Sequence, residues 1–232
     1  MNVLDLPLGN RRYLDIARRL AADIEGGIYQ EGERLPPERE LAQMLDVSRT
    51  TVREALLALE IMRFIEIRVG SGVFVLGDAH RTSSVSAEPK GASPSDVLAA
   101  RRLIEAETAA LAAQQVSEFD TSAMALSIER MAASIDDVQQ FDAADAEFHA
   151  LIARAAGNDV LENLVNHLWR MRESDMWAFW YDQTRHPDNR HRSVADHEVI
   201  LRAIERGLPD AARTAMQAHL DVLADRFYQL KL

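Results

Sequence analysis

The chain has 232 residues, a net charge of −11 and no cysteine. This length allows one small and one medium domain, and the lack of cysteine excludes a disulfide framework and thiolate chemistry. No apolar run approaches membrane-spanning length, so we expect a cytoplasmic protein without a membrane partner. Residues 1–76 hold 10 basic and 12 acidic side chains, whereas residues 77–232 hold 16 and 25, which leaves any affinity for nucleic acid to a small basic face near the N-terminus.

The N-terminal third of the chain predicts three helices followed by a β-hairpin. Apolar residues from Arg11 to Gly26 recur with a helical period, and Pro36-Pro37 followed by acidic residues begins a short second helix. Ser48 is a suitable N-cap for a third, amphipathic helix. Two strands, at residues 65–69 and 73–76, then flank a Gly-Ser-Gly turn. This order of elements is typical of a winged helix-turn-helix.

Residues 77–94 are rich in serine, proline and glycine and indicate a linker. Residues 95–232 predict an all-α domain of six helices, because apolar residues repeat with a helical period between clear stop signals. The six helices are predicted at Val97–Val116, Ser122–Ile135, Phe141–Ala156, Val160–Tyr181, Arg192–Glu205 and Asp210–Leu230. We therefore expect a mostly α fold, with a winged helix-turn-helix in residues 1–76 and a helical domain in residues 95–232.

The third helix carries side chains suited to reading DNA. Arg49 and Arg53 are four residues apart and share one helix face, and arginine is the natural bidentate partner of guanine. Ser48, Thr50 and Thr51 offer short hydroxyl groups to phosphates or to thymine methyl groups. Two arginines alone are better explained as a solvated helix face, but their place in a helix-turn-helix favours DNA binding.

Two further places complete the predicted DNA surface. Arg39, on the second helix, is positioned to reach the DNA backbone or a base edge. Gly70, Ser71 and Gly72 form the turn of the hairpin, where glycine permits close approach to phosphate or to the minor groove. We expect both places to contact a double-stranded operator.

The segment from Leu35 to Leu56 resembles the helix-turn-helix of GntR-superfamily regulators, and Ile67 to Val75 resembles their wing. The resemblance extends over residues 10–76. It implies a transcription regulator that binds a palindromic operator as a homodimer.

In the second domain, four residues have the spacing and chemistry of a metal site. Asp145 and His149 are four apart on one predicted helix, and His197 and His219 lie on later helices. Three histidines and a carboxylate suit zinc or nickel. Each histidine taken singly is more often a surface or core residue.

The same pattern, Asp-x-x-x-His followed by two distant histidines, resembles the metal-binding form of the FCD effector domain. The motif from Arg101 to Glu105 is similar to the first-helix signature of that domain. This resemblance implies that the four residues hold a metal, and that Arg101 and Glu105 belong to an effector site where Arg101 meets an anionic ligand.

A stretch rich in aromatic and cationic residues follows, with Trp169, Arg172 and Trp177. Tryptophan stacks on sugar C–H surfaces and arginine binds carboxylates, which favours effector binding. The alternative, that Trp169 and Trp177 are core residues, is supported about equally. The stretch is similar to one in regulators of hexuronate use.

We therefore expect a repressor of sugar-acid catabolism that leaves its operator when a small carboxylate, such as a hexuronate, binds beside the metal. A metal-responsive regulator, with zinc or nickel as the signal, is one alternative. A metalloenzyme is another, and the absence of an H-E-x-x-H motif argues against it, so no catalytic residues and no enzyme activity are predicted.

Overall fold

A computed structural model describes residues 12–68, 70–77, 91–115 and 117–229. Most of the predicted linker, residues 77–94, lies outside the described residues. The described chain forms two compact units. One contains the described residues up to Ser93, the segment Ser174–Trp180 and the described residues from Tyr228, and the other contains the described residues of Pro94–Glu173 and Tyr181–Phe227. None of the described helices is long and apolar enough to cross a bilayer.

The N-terminal unit begins with three helices, as the sequence predicts. They are α1 (Arg12–Glu25), α2 (Glu38–Leu45) and α3 (Arg49–Ile61). Their apolar stripes form one core, in which Leu20, Leu41 and Leu56 are almost fully buried. Amphipathic periodicity alone explains this part of the fold.

The turn between α2 and α3 is set by two residues. Asp46 adopts a left-handed conformation with φ of 52°, which ends α2. Ser48 begins α3 as its N-cap, and its side chain accepts a hydrogen bond from the Thr51 backbone N–H at 3.1 Å. The predicted helix-turn-helix is therefore present.

A β-hairpin follows, with β1 (Ile65–Arg68) antiparallel to β2 (Gly72–Val75). Ile65 pairs with Val75 and Arg68 pairs with Gly72 across the hairpin. The chain before α2 runs along the other edge of β2, because the Leu35 N–H donates to the Val73 carbonyl at 2.9 Å. The hairpin thus has the place of a wing beside the helix-turn-helix.

The remaining described elements are seven α-helices and one short 3-10 helix. The α-helices are α4 (Pro94–Gln115), α5 (Glu118–Ala133), α6 (Val138–Ala155), α7 (Asp159–Arg170), α8 (Asp175–Thr184), α9 (Pro187–Glu205) and α10 (Pro209–Gln229). Alanines on α4, including Ala106 and Ala109, are fully buried and let neighbouring helices approach closely. Around them pack larger side chains such as Phe148, Ile200 and Met216.

One predicted helix, Val160–Tyr181, is in fact two. α7 ends at Arg170, a 3-10 turn covers Met171–Glu173, and α8 starts at Asp175. Ser174 supplies the physical reason, because its hydroxyl accepts from the Trp177 N–H at 3.3 Å and so begins a new helix. The domain therefore has seven helices where six were expected.

Candidate functional site

Three histidines and one carboxylate meet inside the second unit. His149 on α6, His197 on α9 and His219 on α10 each offer one ring nitrogen, and these nitrogens lie within 4.8 Å of one another. Asp145, one turn before His149, places Oδ1 3.1 Å from His197 Nε2 and 3.6 Å from His149 Nε2. The four residues that the sequence marks as metal ligands are thus brought together.

Hydrogen-bond partners fix which nitrogen of two imidazoles faces the centre. His197 Nδ1 lies 2.6 Å from the Ser193 carbonyl oxygen, which only accepts, so Nδ1 carries the hydrogen. His149 Nδ1 contacts the Glu105 carboxylate in the same way. Both Nε2 atoms then carry lone pairs, and they lie 3.2 Å apart beside Asp145. Two lone pairs and a carboxylate at this spacing form a donor set that a cation would satisfy.

Burial disfavours the charged form of two of the three imidazoles. Desolvation lowers the pKa of His149, and it lowers the pKa of His219 to about 4. Asp145 Oδ1 is also buried, and it has no hydrogen-bond partner among the described residues. These two imidazoles, beside an unsatisfied carboxylate oxygen, belong to a donor set suited to a divalent transition metal.

A buried ion pair on α4 supports the histidine cluster. Arg101 donates through Nε to Glu105 Oε1 at 2.6 Å and through Nη2 to Oε2 at 3.4 Å. Burial alone would raise the pKa of Glu105, but Arg101 and His149 outweigh it and hold that pKa well below its ordinary value. Glu105, expected in the effector site, is thus engaged in orienting Arg101 and His149.

Two guanidinium groups lie over the ring of Trp169, beside the cluster. Arg101 Cζ is 4.3 Å and Arg172 Cζ 4.1 Å from the ring centroid. The indole is 4.9 Å from the His149 ring, and Arg172 Nη1 is 3.5 Å from Asp145 Oδ2. Arg101 Nη1 is buried without a hydrogen-bond partner in the part of the chain that the structure describes. Cationic donors beside metal-type ligands form a site suited to an anion.

Trp177 has a different setting. It is buried, and its ring meets that of Trp180 edge to face, with centroids 4.8 Å apart. Both tryptophans belong to Ser174–Trp180, the segment that groups with the N-terminal unit. Its burial fits the alternative interpretation as a core residue, and an effector-binding role for Trp177 stays a prediction.

Sequence reasoning missed a neighbouring pair. The Tyr181 hydroxyl donates to Asp142 Oδ1 at 2.5 Å, and Arg172 Cζ lies 5.8 Å from the Tyr181 ring. Burial raises the pKa of Asp142. The available signal is the spacing Asp142-x-x-Asp145, which puts both carboxylates on one face of α6.

The start of α3 presents polar residues to solvent in the N-terminal unit. Ser48 and Arg49 are exposed, whereas Thr50 and Thr51 are half-buried. The hydroxyls of Ser48 and Thr51 pair at 2.8 Å, which leaves Arg49 as the extended donor at this end of the helix. Arg39 is exposed on the preceding helix.

Arg53 departs from the prediction of an accessible base contact. Its side chain is 6% exposed, and Nε and Nη2 each donate to the Glu38 carboxylate at 2.7 Å. Arg49 Nη2 lies 3.6 Å from the same carboxylate, but the Arg49 side chain is 66% exposed. The two arginines do share a face, yet in this structure Arg53 joins α3 to α2 and only Arg49 is presented outward.

The turn of the hairpin has positive φ angles at its two glycines. Gly70 and Gly72 have φ of 76° and 115°, values that L side chains rarely adopt. The Ser71 N–H donates to the Arg68 carbonyl at 2.7 Å and closes the turn. Gly70 and Ser71 are exposed, and Gly72 is buried.

Residues 12–75 match the family described as bacterial regulatory proteins, gntR family, and residues 96–222, more than half of the chain, match the FCD domain. The chain belongs to the gntR family and carries an FCD domain. The first match contains the elements from α1 to β2. The second contains the histidine cluster together with Arg101, Trp169 and Arg172.

This gntR-family protein is similar over most of its length to known regulators. It is 35% identical to the Uxu operon regulator of Haemophilus influenzae, over 95% of this chain and 84% of that protein. It is 34% identical to the Exu regulon transcriptional regulator of Escherichia coli K12, over 91% of this chain and 82% of that protein. Among solved structures, E. coli McbR/YncC shares the fold, with a TM-score of 0.53 and 18% identity over 94% of this chain and 97% of that one.

Family membership makes this gntR-family protein a DNA-binding transcription regulator rather than an enzyme. The expected helix-turn-helix and FCD architecture is therefore confirmed. The metalloenzyme alternative is set aside, because the family and the similar proteins are regulators.

Proposed function

We propose that this protein represses genes of sugar-acid catabolism and leaves a palindromic operator when a small carboxylate binds beside a divalent metal ion. In this proposal residues 1–76 bind DNA, residues 77–94 are a linker, and residues 95–232 bind the effector and form a cytoplasmic homodimer. The observation that carries the proposal is a buried metal-type donor set with two guanidinium groups beside it. Similarity to proteins named for the Uxu operon and the Exu regulon supports a sugar acid such as a hexuronate.

The proposed metal ligands are Asp145, His149, His197 and His219, with zinc as the metal and nickel as the alternative. Two atoms bound to one zinc ion at about 2.1 Å lie roughly 3 to 3.4 Å apart. The His149–His197 nitrogen separation of 3.2 Å and the Asp145–His197 separation of 3.1 Å fit this value. A divalent ion bound there would supply a Lewis-acid position for a carboxylate or hydroxyl oxygen of the ligand.

The effector carboxylate is proposed to meet Arg101 and Arg172. Arg101 offers the buried Nη1 donor, and Arg172 has a side chain only 11% exposed at the edge of the cluster. Trp169 fixes both guanidiniums by cation–π contact, so its proposed role is to position them. Glu105 orients Arg101 by accepting a hydrogen bond from its Nε.

The proposed operator surface combines the start of α3, Arg39 and the wing turn. The exposed Arg49 is its base-reading residue, because it is the outward guanidinium at the end of α3. The contributing residues are Arg39, Ser48, Arg49, Thr50, Thr51, Gly70, Ser71 and Gly72, with Arg53 supporting them through Glu38.

A second candidate function is metal sensing, in which zinc or nickel alone is the signal. It is favoured because the proposed metal ligands are already held in place without an acid. His149 and His197 are almost fully buried, and the Nδ1 atom of each contacts another residue of the protein. Titrating the metal against operator affinity without any organic acid separates the two candidates. Under the first proposal the metal alone leaves operator affinity nearly unchanged.

The acid-binding site is tested by thermal shift of zinc-loaded protein against a panel of sugar acids and neutral sugars. One acid is expected to raise the melting temperature, by the linkage between binding and stability. Arg172→Lys keeps the charge but loses the planar fork and is expected to abolish most of the shift. Arg170→Lys, an exposed neighbour at the end of α7, is the matched control and should keep it.

Metal binding is tested by metal content after dialysis. Wild-type protein is expected to retain about one zinc per chain. His219→Ala is expected to lose it, because removing one ligand lowers the affinity for the metal. His191→Ala, an exposed histidine on α9, should retain the metal. Equal zinc content in both variants would remove His219 from the ligand set.

A further inference from the structure

The wing has only one arginine of its own in the described residues, and that arginine is already occupied. Arg68 Nη2 lies 2.6 Å from Glu66 Oε2, and the Arg68 guanidinium lies 4.6 Å from the centroid of the Phe74 ring. The Glu66 carboxylate offsets its charge, and one face of the guanidinium packs on the Phe74 ring. Arg68 therefore contributes little net positive charge to the hairpin.

Arg34 enters the wing from outside the hairpin. It forms an isolated antiparallel bridge with Phe74, and its neighbours hold the edge of β2 through backbone hydrogen bonds. The Leu35 N–H donates to Val73 and the Val75 N–H donates to Glu33, each at 2.9 Å. The Arg34 backbone is thus fixed against the wing as a third strand would be.

The Arg34 guanidinium lies on the bare backbone of Gly72. A Cβ at Gly72 would overlap this group, with Cζ and Nη2 only 2.9 Å away. Gly72 also has φ of 115°, so glycine is needed there both for its conformation and for the room that it leaves. Gly72 is buried while Arg34 is exposed, as expected if the guanidinium covers the glycine.

Arg34 has no carboxylate partner among the described residues. A planar cation with free donors is therefore held beside the Gly70–Gly72 turn, where the backbone permits close approach. Fixing the guanidinium in advance lowers the entropy that is lost when it binds a ligand. The ligand chemistry that matches a fixed, exposed guanidinium on a DNA-binding wing is a phosphate of the duplex.

We propose that Arg34, seated on Gly72, is a DNA-backbone contact of the wing. This inference rests on the proposed operator surface and adds a residue to it. A phosphate contact gives affinity without sequence information, so Arg34 strengthens binding to every duplex alike.

The test is a salt titration of operator affinity by fluorescence anisotropy, with the full-length chain and a labelled operator duplex. Arg34→Ala is expected to weaken binding about eightfold at 0.1 M salt and to reduce the slope of log affinity against log salt by about one. The loss should be equal on operator and on random duplex. Arg34→Lys should keep most of the affinity, and Arg19→Ala, an exposed arginine on α1, should change nothing.

The seat on Gly72 is tested by a double-mutant cycle. Gly72→Ala displaces the Arg34 guanidinium and is expected to weaken operator binding by itself. Adding Arg34→Ala to this variant should then reduce operator affinity little further. If the two substitutions instead reduce operator affinity additively, the contact between Arg34 and Gly72 does not contribute to DNA binding. An unchanged affinity and salt slope for Arg34→Ala, with binding lost in Arg49→Ala, would overturn this inference and leave the operator surface intact. Absence of any duplex binding by the wild-type chain would overturn both.

Discussion

At the scale of single residues, the two arginines of α3 have different environments. Arg53 is buried against Glu38, whereas Arg49 extends into solvent. Their spacing predicts a shared helix face, and the structure agrees. The sequence does not predict which guanidinium is buried, because the position of Glu38 depends on the angle between α2 and α3.

This difference predicts opposite effects of two alanine substitutions. Arg53→Ala leaves the Glu38 carboxylate buried without its partner and should lower the free energy of unfolding by about 3 to 5 kcal/mol. Arg49→Ala should change stability by less than about 0.5 kcal/mol, because the side chain is exposed. It should still weaken specific operator binding by about 1 to 3 kcal/mol. Urea denaturation and operator titration of both variants measure this, and a stable Arg53→Ala protein would contradict the buried-pair assignment.

Glu60 gives a pH-dependent prediction. Its Oε1 accepts from the Ile67 N–H at 2.8 Å, and its Oε2 is buried without a hydrogen-bond partner in the described chain. Burial raises the pKa of Glu60 to about 7. Ionisation is thus easier in the unfolded chain, so the stability that Glu60 contributes is fully present below about pH 4.5 and is lost as the pH rises through 7.

Glu60→Gln keeps an acceptor for Ile67 but cannot ionise. The free energy of unfolding of this variant, relative to wild type, should therefore rise between about pH 4.5 and pH 7 and stay level above that. Urea denaturation at several pH values provides the measurement, and other titrating groups cancel in the difference. A pH-independent difference would show that Glu60 is not buried as described.

At the scale of elements, apolar periodicity predicts α1 to α3, the hairpin and most of the second unit. It fails where one helix ends and another begins without a change in periodicity. The α7–α8 break depends on Ser174, a single cap within an otherwise helical pattern. α9 also begins at Pro187, five residues before the predicted Arg192, with His186 as its N-cap. Such ends are local hydrogen-bond choices that apolar periodicity does not encode.

The connection from α3 to β1 carries a strained residue. Arg63 has φ of 62°, a left-handed conformation that costs a non-glycine residue about 1 kcal/mol. Arg63→Gly should therefore be more stable than Arg63→Ala by about 1 kcal/mol, although both remove the same charge. Thermal or urea unfolding of the pair measures this. The reverse order, which is usual inside a helix, would contradict the turn geometry.

At the scale of the whole molecule, the proposed effector site draws on several helices that are distant in sequence. Spacing pairs Asp145 with His149, and ligand chemistry adds His197 and His219 as candidates. The resemblance to the FCD domain is what joins the four residues in one site with Arg101. The structure brings these residues together. The supporting contacts of Glu105, Tyr181 and Asp142 were not predicted, because side-chain partners across packed helices depend on tertiary geometry.

The proposed regulation requires a coupling free energy between the acid site and the operator site. An acid that weakens operator binding must be bound more weakly by the DNA-bound protein, by the same factor. Couplings of this kind are typically about 5-fold to 150-fold. No coupling arises if the acid has equal affinity for both states.

The most direct test is the operator affinity of zinc-loaded protein with and without saturating glucuronate or galacturonate. We predict that at least one of the two acids weakens operator binding by about tenfold or more. The effect should disappear in Arg172→Lys and persist in Arg170→Lys. Operator affinity that is unchanged by both acids, in protein shown to hold its metal, would contradict the account.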